Sequence, residues 1–73
     1  MARERIAAGP DDERREQILE DALWLHEGGV HPVWWPSRVG SPSLGALSKM
    51  FQRAADGGDR RALVLYRATE PHI

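Results

Sequence analysis

Apolar positions follow helical spacing in two stretches of this chain and lie in short continuous or alternating runs in two others. The first helical stretch follows the acidic cluster of Asp11, Asp12 and Glu13. There Ile18, Ala22 and Leu25 fall at i, i+4, i+7, and Leu19 and Leu23 widen the stripe. Trp24 belongs to the same apolar run. Pro10 suits a first helical turn and the acids suit its dipole, while Gly28 and Gly29 offer a left-handed end. The pattern predicts a helix over 11–27. The second helical stretch has Leu44, Leu47, Phe51 and Ala54 or Ala55 on one side, with Lys49, Gln52 and Arg53 turned away. Ser41 as N-cap, Pro42 in the first turn and Gly57 with Gly58 at the end predict a helix over 42–56.

The other two runs read as strands. Val30, His31, Pro32, Val33, Trp34 and Trp35 are rich in branched and aromatic residues. Pro32 limits that strand to an edge, and Pro36 closes it. Residues 36–43 are rich in turn formers and read as a loop. Over 61–68, Ala62, Val64 and Tyr66 alternate with Leu63, Leu65 and Arg67, as in a strand covered on both faces. The order helix, strand, helix, strand predicts an α+β fold. In it residues 30–68 form a strand–helix–strand unit with a minimal two-stranded parallel sheet. The open edge at 61–68 is then a template for a second chain. Residues 1–9 read as a flexible N-terminal arm and 10–73 as a single small α/β domain.

Length sharpens the expectation of a partner. A 73-residue chain without cysteine hides little surface alone and has no disulfide or thiolate metal site to support it. The longest apolar run, Ala62 to Tyr66, is far shorter than the roughly 20 residues of a membrane span, and no N-terminal signal pattern is visible. A cytoplasmic protein without a membrane partner is expected. Nine arginines against one lysine, with no asparagine, are the imprint of a GC-rich coding sequence such as actinobacteria and their phages carry.

Charge is divided unevenly. Residues 1–29 hold four arginines against eight acids, whereas 30–73 hold six cations against three acids. The basic half brings in nucleic acid as a partner class, with Arg38, Lys49, Arg53, Arg60 and Arg61 as phosphate contacts. The bland account is attraction between the halves, within one chain or between copies.

Catalytic patterns are missing. Ser37, Ser41, Ser43 and Ser48 fall in no G-x-S-x-G or Ser-x-x-Lys motif. Glu13, Glu16 and Glu20 share a helix face but are interleaved with Arg14 and Arg15, as on a solvated, charge-laced surface. His26, His31 and His72 show no ligand spacing, and no Glu-x-Lys pair of the small-nuclease kind occurs. The segment 38–43 precedes a helix start that could hold an anion, but Pro42 removes a donor and no P-loop matches. No metal, cofactor or small-molecule substrate is inferred.

The most unusual local feature is Trp34, Trp35, Pro36, Ser37, Arg38. In an extended segment neighbouring side chains point to opposite faces, so one tryptophan can enter the core while the other cannot easily join it; the bland account is that both pack, one under each helix. Tryptophan beside arginine is the composition of an interface hot spot. The prediction is a non-enzymatic interaction or assembly module that self-associates or docks on a larger protein. Its contact residues would be Trp34, Trp35, Pro36, Arg38, Leu63, Leu65 and Arg67. The alternative is a small nucleic-acid-binding domain that uses the basic half and the tryptophan segment.

Overall fold

The computed structural model describes residues 10–73, and the predicted arm at 1–9 lies outside them. Among the described residues the fold is four α-helices and two short 3-10 turns, with no strand. Helix α1 is Pro10–Glu27, α2 is Trp35–Val39, α3 is Leu44–Asp56 and α4 is Arg60–Thr69. The 3-10 turns are Pro32–Trp34 and Glu70–His72.

The expected α+β fold is therefore incorrect, and both strands are helical. Pro32, read as confining a strand to an edge, and Pro36, read as closing it, each occupy the opening turn of a helical element. Proline fits there because its missing N–H would have no helical acceptor. His31 caps the first of these turns, its Nδ1 accepting from the Val33 amide at 3.1 Å. Segment 61–68 is helical for a similar local reason. Asp59, after the two glycines, is an N-cap whose Oδ1 accepts from the amides of Arg61 (2.9 Å) and Ala62 (3.2 Å). Once the chain is started as a helix, Ala62, Leu65 and Thr69 fall on one buried face, while Leu63 and Val64 turn outward. The sheet edge expected to recruit a second chain does not exist.

Helix α1 runs where its stripe predicts. Helix α3 starts later than expected: Ser43, not Ser41, is the cap, its Oγ accepting from the Ala46 amide at 3.1 Å. Both glycine pairs end helices as anticipated. After α1 the Val30 amide donates to Leu25 and Gly29 to His26; after α3 the Asp59 amide donates to Ala54 and Gly58 to Ala55. This is the paired Schellman pattern, and its left-handed residues are Gly29 (φ 79°) and Gly58 (φ 100°).

Helices α3 and α4 form an antiparallel hairpin, since Ser48 meets Thr69 while Asp56 and Arg60 flank the turn. Helix α1 packs on α4 and α2. One core joins all four helices: Leu19, Ala22 and Leu25 of α1, Trp35 of α2, Leu47 and Phe51 of α3, Ala62 and Leu65 of α4. Trp35 is its largest member. The ring meets Phe51 edge to face at 6.4 Å and His26 at 5.7 Å, and its Nε1–H donates to the Val30 carbonyl at 2.8 Å. Beside this core, the buried Thr69 hydroxyl reaches the Leu65 and Tyr66 carbonyls and Ser48 Oγ. No buried side-chain polar atom among the described residues lacks a partner.

Candidate interaction surface

Trp24 stands on the side of α1 opposite the core stripe. At 100° per residue it lies two positions, or about 200°, from buried Ala22. The residue is 74% exposed. Trp34, immediately before α2, is 59% exposed, whereas its neighbour Trp35 is fully buried. Of the two readings, both packed or one in and one out, the structure shows the second, on a helical rather than an extended backbone. Trp34 and Arg38 are four residues apart on that backbone and share a face.

Arg38 joins the two tryptophans. Together with Asp21, Trp24 and Leu25 it lines a cleft of about 230 Å³ between α1 and α2. Asp21 accepts from Gln17 Nε2 at 2.9 Å. Although Arg38 lines the same cleft as Asp21, the two form no ion pair. The cleft thus presents an indole, a guanidinium and a carboxylate not bridged to one another, and Trp34 lies exposed one turn before Arg38.

The remaining expected contact residues divide. Trp35, Pro36 and Leu65 are buried within the chain and face its own core. Leu63 and Arg67 are exposed on α4, away from the tryptophans' cleft. Sequence reasoning placed Trp24 with the core run and so missed it as a surface residue. Its offset from Leu19 and Ala22 was the available signal.

The cations are also sorted by the fold. Lys49 and Arg53 of α3 converge with Arg15 of α1 around a cleft of about 270 Å³, lined by no carboxylate among the described residues. Arg15 had not been expected there; it also pairs with Asp12 at 3.4 Å. Arg60 is exposed on α4. Arg61 is occupied: its guanidinium grips Glu16 with two bonds of 2.6 and 2.9 Å and reaches Asp59 Oδ2 at 2.9 Å. Those bonds hold the Glu16 and Asp59 carboxyls below the usual carboxylate range and raise the Arg61 guanidinium further.

A depression of about 590 Å³ lies between α3 and the C-terminal segment and contains Lys49, Tyr66 and Glu70 without a nucleophile and base in contact among the described residues. Among the described residues no three His, Cys, Asp or Glu side chains converge as metal ligands. His31 and His72 stack edge to face at 4.6 Å. No helix among the described residues is long and apolar enough to cross a membrane. Fold and surface together define a small all-helical domain with an exposed aromatic and cationic face. Comparison with family models, curated proteins and solved structures finds no match for this chain.

Proposed function

We propose that this chain is a non-enzymatic protein-interaction module whose contact surface is the α1 and α2 face bearing Trp24, Trp34 and Arg38. The observation that carries this reading is the exposure of two of its three tryptophans. The core is complete without them, because Trp35 and Phe51 fill it. Large indoles left in water beside arginine are the side chains that contribute most when a partner removes them from solvent. The test compares material retained by the immobilised wild-type chain with that retained by the Trp24→Ala/Trp34→Ala variant. A protein lost by the variant at unchanged far-ultraviolet circular dichroism supports the reading. Equal retention by both chains overturns it.

A second reading rests on the convergence of Arg15, Lys49 and Arg53, a cationic cleft suited to the phosphates of nucleic acid. It requires binding of a labelled duplex or single strand that weakens steeply with salt and is reduced by Lys49→Ala/Arg53→Ala. Failure to bind at about 50 mM salt, where phosphate contacts are strong, removes it.

A further inference from the structure

We infer that the occupant of the α1 and α2 face is a second copy of this chain, placed by a two-fold axis so that Asp21 of each protomer meets Arg38 of the other across Trp24. The inference rests on the reading of that face as a contact surface and adds the identity of the partner. Its basis is the chemistry gathered in one cleft: a carboxylate, an indole and a guanidinium line it together, with the opposite charges not bridged to one another. A patch of that kind is its own complement under a two-fold rotation. Turning one copy over the other sets negative against positive twice and stacks apolar on apolar. An unrelated partner would have to carry the reverse arrangement independently, whereas a second copy has it by construction.

Area points the same way. Two exposed indoles per copy bring about 600 Å² across the pair, and a polar rim around them approaches the lower bound of about 1,200 Å² for a specific interface. That is the size of a reversible dimer.

Sedimentation velocity on the full chain between about 5 and 500 µM tests the inference, a range in which a weak dimer changes population. The expected result is a concentration-dependent shift toward twice the monomer mass, abolished by Trp24→Ala at unchanged helicity. Asp21→Arg and Arg38→Asp are each expected to be monomeric, because like charges then face across the axis. An equimolar mixture of the two should regain the dimer, since each variant brings the charge the other lacks. A wild-type monomer throughout the range overturns the inference, as does a mixture that stays monomeric. If the wild type is monomeric but the double tryptophan variant still loses a retained protein, the contact surface stands and only the second copy is wrong. A dimer indifferent to Trp24→Ala overturns the inference too, since the copies then meet elsewhere, while equal retention by the double tryptophan variant overturns the contact surface itself.

Discussion

Three charged side chains hold the two ends of the fold in register. Arg61 at the start of α4 reaches Glu16 on α1 and returns to Asp59, its own helix cap. Both carboxyls titrate below their ordinary values of 4.5 and 3.8 in the folded chain, chiefly because Arg61 donates to them. Their contribution is therefore fully present at neutral pH. It begins to be lost as acid reaches those ordinary values, where the unfolded chain binds protons that the folded chain refuses, and it is gone once pH falls through the depressed folded values. Arg61→Gln should lower stability by about 1 kcal/mol at pH 7, a figure discounted for the half-exposed setting. It should also flatten the loss of stability between about pH 5 and 2, read from thermal melts across that range. The tryptophans supply a sharper contrast. Trp35→Ala empties the middle of the core and is expected to cost about 3–5 kcal/mol, enough to unfold so small a domain. Trp34→Ala, one residue away but facing water, should stay within about 0.5 kcal/mol of wild type in the same denaturant titration.

The helix termini decide where elements begin and end. Gly57 and Gly58 are adjacent, yet only Gly58 has a left-handed backbone. Gly58→Ala should destabilise by about 1 kcal/mol through backbone strain, although its Cβ would meet nothing. Gly57→Ala, at φ −82°, should be neutral or stabilise slightly by narrowing the unfolded ensemble. Helix α4 can be tested at Val64, on its outward side. Valine to alanine there should leave the melting midpoint nearly unchanged, because helix propensity gained, about 0.5 kcal/mol, offsets the small loss of burial. In a strand the same change would cost about 1 kcal/mol. The strand expectation failed because alternation was read without its flanks. Asp59 after two glycines is a helix start, and arginine, alanine and leucine fill most of the ten residues that follow.

At the level of the whole molecule, Ser48 and Thr69 are the polar counterpart of the aromatic core. They lock α3 to α4 where both side chains are buried. Thr69→Val should cost about 1–2 kcal/mol, since the buried Ser48 hydroxyl would lose its side-chain partner. Guanidinium unfolding of that variant gives the value directly.

Much of this architecture was legible before any coordinates. The extents of α1 and α3, their glycine ends and the outward Lys49, Gln52 and Arg53 follow from hydrophobic period and capping chemistry, which act between residues close along the chain. The candidate surface was legible only in part: Trp34 and Arg38 stood out by composition, while Trp24 was hidden inside an apolar run. Local sequence bounded the elements and named the residue types available for contact. Tertiary packing decided that Trp35 rather than Trp34 enters the core, that Leu65 faces α3, and that Arg38 comes to lie beside Trp24 across two helices. Those outcomes depend on which side of each helix is covered by distant segments, and burial of that kind is a property of the assembled fold.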